Sequence, residues 1–275
     1  MQTTWYQRFK NELNFIFKNY ISHRNWSLKE VGEFWDSVAD ANDINESTYS
    51  YFRRFTDGYD LCSIAPKSRI LDICARTGNG TMYFHERGRV GHAVCVDVSR
   101  DYQDICTDYL QQAGVPAEHL LIDDYQIPQP DESFDAILCF ETVEHVSEPQ
   151  ELLTSLRRLL KPYGEIIITT PNFLWEPVHW LAAITGIHRS EGPHRFLRRH
   201  TLRRLIKKAD LKIITESTTV LIPGGPAFLI KFGEFLEHIL PETIKRFFGL
   251  RRIFICTTNV DEDEIKEETY VAVED

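Results

Sequence analysis

The chain reads as an α/β protein, a largely parallel sheet with helices on both faces, and three observations predict it. First, the apolar run Ile70-Leu71-Asp72-Ile73 breaks into Thr77-Gly78-Asn79-Gly80 and then a helix-like stretch, giving a strand, a glycine turn and a helix start. In a parallel sheet that junction is where nucleotide-like cofactors bind, because turn N–H groups and a helix N-terminus face the ligand. Second, Val94-Cys95-Val96-Asp97 is another buried-type strand, ending in an acid about 20 residues past the turn, the spacing of a ribose-gripping carboxylate. Third, apolar strand-length runs alternate with helix-length amphipathic stretches from residue 68 onward, the pattern of βαβ units.

The elements follow in order. Residues 1–38 predict one or two amphipathic helices, with Trp5, Phe9, Leu13, Phe15 and Ile16 near helical spacing. Residues 49–61 predict another. Strands are expected at 69–73, 93–98, 120–122, 136–140 and 165–170, and helices at 80–87, 102–113 and 149–160. Residues 211–220 and 252–258 supply the last two strands, making seven. Two insertions leave this alternation: 172–193, carrying Phe173, Trp175 and Trp180, and 222–249, which opens with Pro223-Gly224-Gly225-Pro226. They read as walls of a substrate pocket or as helices capping the core. The expected organisation is a helical cap over 1–61, a core domain over 62–260 and an acidic, disordered tail over 261–275.

Composition narrows the function classes. The net charge of −10 is uneven: residues 261–275 hold eight acids and one lysine, leaving only −3 elsewhere. A nucleic-acid binder carries a strongly basic domain, so no nucleic-acid partner is expected. Six cysteines occur without a C-x-x-C pair, and Cys95, Cys139 and Cys256 lie in apolar runs, as buried reduced thiols do. With no membrane-length apolar run and no signal peptide, the expected location is cytoplasmic.

The motifs from 68 to 213 together resemble the class I S-adenosylmethionine (SAM) dependent methyltransferases, of the type 11 or quinone-methyltransferase-like kind. The first family motif stands here as Ile70-Leu71-Asp72-Ile73-Cys74-Ala75-Arg76-Thr77-Gly78. Asp123-Asp124-Tyr125-Gln126-Ile127-Pro128, Ser133-Phe134-Asp135, Val143-Glu144-His145-Val146 and Leu159-Leu160-Lys161-Pro162-Tyr163-Gly164 match the later ones in order. The resemblance implies a doubly wound, mostly parallel seven-stranded sheet, with residues 211–220 and 252–258 as an edge hairpin. It also implies that Phe34 to Asp40 belongs to a short helix covering the cofactor. One departure stands out: Cys74 and Arg76 occupy two glycine positions. Arg76 points away while the turn survives on Gly78 and Gly80, or pairs with the cofactor carboxylate, or marks a site that no longer binds SAM.

Residue by residue, the resemblance makes SAM the cofactor and assigns it Asp72, Cys74, Ala75, Arg76 and Gly78 of the turn. It adds Asp97 for the ribose, Val98 for the adenine face, Asp123 and Asp124 near the adenine amino group, and Phe140 for the methionine side. Asp72 and Asp123 also read as strand-end caps. His145 and His194 are the catalytic candidates, as general bases or as histidines held by backbone. Glu141, Glu144, His145 and His194 could instead hold a divalent ion, although no metal is expected. Arg195, Arg198, Arg199, Arg203, Arg204, Lys207 and Lys208 make a basic helix face, either solvated or in contact with a membrane surface or anionic substrate. The expected function is methyl transfer to a small, largely apolar acceptor such as a quinone, lipid or glycolipid precursor. The rival is an inactive SAM-fold binding or scaffold protein.

Overall fold

The computed structural model describes residues 5–16, 25–39, 48–185 and 194–258. The tail 261–275 and the end of the first insertion, 186–193, lie outside them. Among the described residues the chain runs α1 (Trp5–Ile16), α2 (Leu28–Ala39), α3 (Tyr49–Leu61), β1 (Ser68–Ile73), α4 (Asn79–Glu86), β2 (Val90–Asp97), α5 (Arg100–Gln112), β3 (Ala117–Leu121) and β4 (Phe134–Phe140). It continues with α6 (Pro149–Leu159), β5 (Leu160–Pro171), a 3-10 turn (Phe173–Trp175), α7 (Glu176–Thr185), α8 (Arg199–Lys208), β6 (Lys212–Thr219), α9 (Ala227–Ile239), α10 (Glu242–Phe248) and β7 (Arg251–Thr257).

One seven-stranded sheet results, in the order β3-β2-β1-β4-β5-β7-β6. The strands from β3 to β5 pair in parallel, whereas β7 is antiparallel to both β5 and β6. Strand order reverses between β1 and β4, so their carboxyl ends open the crevice where α/β sheets bind ligands.

Side-chain alternation divides the core between the two faces of the sheet. Leu71, Ile73, Val94, Val96, Ile137, Ile166 and Phe254 point to one face, where Leu152, Leu153 and Leu156 of α6 and Leu202 and Ile206 of α8 cover them. Ile70, Cys95, Leu138, Ile167 and Ile255 point to the other, under Tyr51 and Phe55 of α3, Phe84 of α4 and Leu110 of α5. Both faces of the central strands are therefore buried, which is why β1, β2 and β4 read as nearly unbroken apolar runs.

Local chemistry fixes the helix starts. Thr48 caps α3 by accepting from the Tyr51 amide, Ser99 caps α5 by accepting from the Tyr102 amide, and Pro149 opens α6. The edge strand β3 begins three residues before its expected position. Its sequence, AEHLL, carries too little apolar signal, and pairing with 93–97 of β2 sets its limits instead. No helix among the described residues is long and apolar enough to cross a membrane.

Candidate active site

The turn after β1 keeps a glycine-type backbone without the glycines. Cys74 and Arg76 sit at φ +55° and +50°, and Gly78 at +79°. Positive φ is costly for a residue with a Cβ, so the surrounding structure holds these two there. The Gly78 amide closes the turn on the Ala75 carbonyl, and α4 starts directly behind it. At β4, Glu141 also adopts positive φ, +48°. Strained non-glycine residues thus gather at the carboxyl ends of the two strands flanking the switch point.

Two buried carboxylates anchor this end of the sheet. Asp72 accepts from the amide and hydroxyl of Thr81, at 3.1 and 2.7 Å, tying β1 to the first turn of α4. Burial raises its pKa to about 7, with the two Thr81 bonds acting the other way. Asp97 accepts from the amides of Arg76, Val98 and Ser99 at 2.8 to 2.9 Å. Burial also raises its pKa, opposed by those three amides.

Arg76 does not turn away from the cleft. Its guanidinium lies over Trp35 of α2 and Tyr102 of α5, 4.7 and 5.0 Å from the ring centres, and donates to the Tyr102 hydroxyl. Helix α2 therefore closes over the strand ends as a lid. Gly32 lets it seat, because a Cβ there would fall 2.3 Å from the Val98 carbonyl oxygen. Asp36 ties the same helix to Ser99.

Under this lid Leu28, Val31, Trp35, Arg54, Cys74, Arg76, Asp97, Val98, Glu141, Thr142, His145 and Val146 enclose about 50 Å³ of free space. A second cavity of about 280 Å³ adjoins it and shares Arg54 and Glu141. Trp175, Val178 and His179 from the first insertion, Pro223 and Gly224 from the second, and Leu250 supply its apolar and aromatic walls. Arg251, almost fully buried, donates to Glu141 at 3.0 Å and to the Ser50 carbonyl, so an ion pair forms the polar floor.

The candidate residues separate into groups. Cys74, Arg76, Asp97, Val98, Glu141 and His145 converge on the first cavity. Ala75, Asp72, Gly78 and Phe140 support it from behind; the Phe140 ring packs on Phe55 and Phe84. Asp123 and Asp124 lie exposed on the loop after β3, where Asp124 accepts from the Gln126 amide and neither lines the cavity. The His145 ring meets Trp35 at 5.6 Å and His194 at 6.0 Å, with His194 buried against Phe196.

Of the four residues considered for a metal, His145 and His194 adjoin, and each glutamate has a hydrogen-bond partner outside the four. Glu141 engages Arg251, and the buried Glu144 accepts from Thr170. A closer set of donor atoms, within 4.8 Å of one another, belongs to Cys95, Cys106 and His119, a grouping that spacing alone gave no reason to expect. Also missed were Arg54, His179 and Arg251. Each reaches the cavities from a different element, and only tertiary structure joins them.

Comparison with known proteins bears on the family and the fold. A family model described as a methyltransferase domain matches residues 48–216, from the cap of α3 to the middle of β6. The ubiquinone/menaquinone biosynthesis C-methyltransferase UbiE of Burkholderia mallei and of Burkholderia thailandensis is 27% identical over 158 residues, 56% of this chain and 65% of the relative. The chain thus spans somewhat less than two thirds of these relatives' length. Among solved structures, the [4+2]-cyclase SpnF superposes with a TM-score of 0.64 at 14% identity, covering 86% of this chain and 98% of that one. A SAM-dependent methyltransferase from Aquifex aeolicus gives 0.56 at 16% identity, covering 82% and 98%. Identities this low speak to the fold, and SpnF illustrates that the fold hosts more than one chemistry.

Proposed function

The chain belongs to the class I SAM-dependent methyltransferase family, and on that premise we propose that it transfers a methyl group to a small, largely apolar acceptor with one polar end. The observation that carries this reading is the pair of adjoining cavities. One lies at the strand ends among the cofactor-type residues, the other among the insertions, and Arg54 and Glu141 form their common wall.

The residues suit SAM in kind. An acid ends β2, a left-handed turn follows β1, and a Cβ at Gly80 would press on the Asp72 carboxylate and the Phe140 ring. They suit it in volume only once α2 withdraws, since small-molecule pockets usually span about 300–1,000 Å³. Asp97, Val98 and the turn at 74–78 would hold the nucleoside side, with Asp72 behind them. When bound, SAM supplies a methyl group on a sulfonium leaving group.

This chain's residues would then align, shield and deprotonate. Trp175, Val178 and Leu250 hold the apolar body of the acceptor and exclude water. Arg54, Arg251 and Glu141 orient its polar end. His145, on the wall of the first cavity, would take a proton from a hydroxyl or an activated carbon, with His194 behind its ring. A lipid, quinone or glycolipid precursor meets these demands. The six free thiols accord with a reducing, cytoplasmic setting.

The small volume under the lid also favours a second reading, a SAM-fold binding protein without activity. Calorimetric titration with SAM and with its demethylated product separates the two. The methyltransferase reading expects clear heat, and Asp97→Ala should weaken binding by about 1–3 kcal/mol. A blank at millimolar SAM, where the binding free energy is only about −4 kcal/mol, would overturn it in favour of the scaffold.

A further inference from the structure

Helix α9 is built inside out. Phe228, Phe232, Phe235 and Ile239 recur at i, i+4, i+7 and i+11 and occupy one face about 60° wide. That face points to solvent: the four side chains are 68%, 52%, 55% and 57% exposed. The opposite face carries the acids and turns inward. Glu234 accepts from the Tyr49 hydroxyl, Glu237 pairs with Arg53 at 2.7 Å, and Gly233 packs on Ile222. In a helix that only covers a core, this polarity would be reversed.

The apolar exposure continues past the corner at Pro241. In α10, Ile244, Phe247 and Phe248 are exposed, and Leu174 stands out from the neighbouring 3-10 turn. Phe247, Leu174 and Phe173 line a third cavity, of about 390 Å³, together with Thr243 and five basic residues, Arg198, Arg199, His200, Arg246 and Arg252. The carboxylates on this side are already engaged, Glu216 with Arg199 and Arg203, and Glu242 with Lys245. Arg198, Arg246 and the buried Arg252 form no ion pair among the described residues, although Glu216 acts on Arg252 at longer range. Arg252 instead donates to Asn172, and Arg198 lies over Phe173. Lys231 and His238 lie beside the apolar stripe on α9, exposed.

We propose that the α9–α10 face docks on an anionic phospholipid bilayer. The Phe228–Phe232–Phe235–Ile239 stripe enters the headgroup–acyl boundary, and the Arg198–Arg246–Arg252 cavity accepts a lipid phosphate. Exposed aromatics beside cations outside the described ion pairs match such a surface in both polarity and charge. A bare protein partner would explain the apolar stripe but not the cationic cavity at its end. Docking does not depend on the methyl-transfer reading; one consequence does. The acceptor cavity includes Pro223 and Gly224, just ahead of α9, so docking would bring its mouth to the membrane and let an amphiphilic acceptor enter from the bilayer.

Vesicle sedimentation of the full chain tests this, with phosphatidylcholine alone against phosphatidylcholine containing phosphatidylglycerol, at low and high salt. The wild type should sediment with the anionic vesicles, less so at high salt. Phe232→Gln/Phe235→Gln, which changes only solvent-facing positions, should abolish sedimentation. Arg198→Gln/Arg246→Gln should raise the lipid needed for half-binding about tenfold. Tyr163→Asn, an exposed change near the start of β5, should alter nothing. Wild type that stays in the supernatant with both vesicle types overturns the proposal, as does equal binding of wild type and the phenylalanine double variant. A wild-type dimer made monomeric by those phenylalanine changes, without vesicle binding, overturns it in favour of a second copy. Calorimetry with SAM on the same preparations keeps a failure of docking distinct from a failure of the methyltransferase reading.

Discussion

The turn after β1 and the helix α9 depart from ordinary sequence rules in opposite ways. At the turn, Cys74 and Arg76 take positions that favour glycine, yet the backbone keeps the glycine geometry and the neighbouring carboxylates keep their amide partners. At α9, every residue but Gly233 suits a helix, yet the apolar face is the wet one. The first departure is absorbed in place, by hydrogen bonds from the turn to Asp97 and Tyr102 at the neighbouring strand end and helix. The second cannot be absorbed within the described chain, because nothing in it covers those phenylalanines. A violated backbone preference points inward, to a site; a violated polarity points outward, to a surroundings the helix is built to meet.

The strongest way to break this comparison is through the ion pair under the proposed acceptor cavity, where the insertions join the strand ends. Arg251→Ala should lower stability by about 3 kcal/mol, because it breaks the buried Arg251–Glu141 ion pair, with Arg54 compensating the Glu141 charge in part. Urea unfolding should show a lower midpoint at unchanged slope. Replacing both partners by leucine should recover most of the loss. A single-variant loss below about 1 kcal/mol would mean the pair is solvent-screened, as surface pairs are, and that the two regions are coupled only weakly.

Next in size is Asp72, which sharpens the account of the strand-end region alone. Its folded pKa, about 7, lies above its unfolded value. Its contribution to stability is therefore fully present below about pH 4 and is lost as pH rises through 7. Asp72→Asn can still accept from Thr81 but carries no charge to desolvate. The variant should outperform wild type at pH 8 by on the order of 2–4 kcal/mol, with the difference vanishing near pH 4. Parallel pH profiles for the two proteins would remove Asp72 from that role.

How much of this could be read in advance differs between the same two regions. β1, β2 and β4 were legible because burial on both faces writes continuous apolar runs; the α5 start was expected two residues late, because the Ser99 cap that sets it was not read from the sequence. Asp97 and His145 were legible from spacing and motif, and both line the cavity under the lid. Arg54, His179 and Arg251 were not, since a cation or a lone histidine in an amphipathic stretch carries no mark of the cavity it will face. The direction of α9 was equally hidden. Periodicity shows that an apolar stripe exists, but only the contacts of Glu234 and Glu237 reveal which side it presents.

The smallest expected effect belongs to Arg76, and it bears most directly on how the turn tolerates its departure. Arg76→Gly removes a Cβ from a left-handed position, which relieves roughly 1–2 kcal/mol. Against this stand the lost contacts with Trp35 and Tyr102, roughly 0.5–1 kcal/mol each, and about 0.5–1 kcal/mol of added chain entropy in the unfolded state. These terms nearly cancel, so the midpoint of unfolding should move by less than about 1 kcal/mol. The contacts with Trp35, however, are what connect the turn to α2. Amide exchange across 28–39 should therefore quicken relative to α5, and SAM should associate faster, while global stability barely changes. If stability instead falls by more than about 2 kcal/mol with α2 exchange unaltered, Arg76 is a structural brace of the turn, and the lid is held by Gly32 and Asp36 without it.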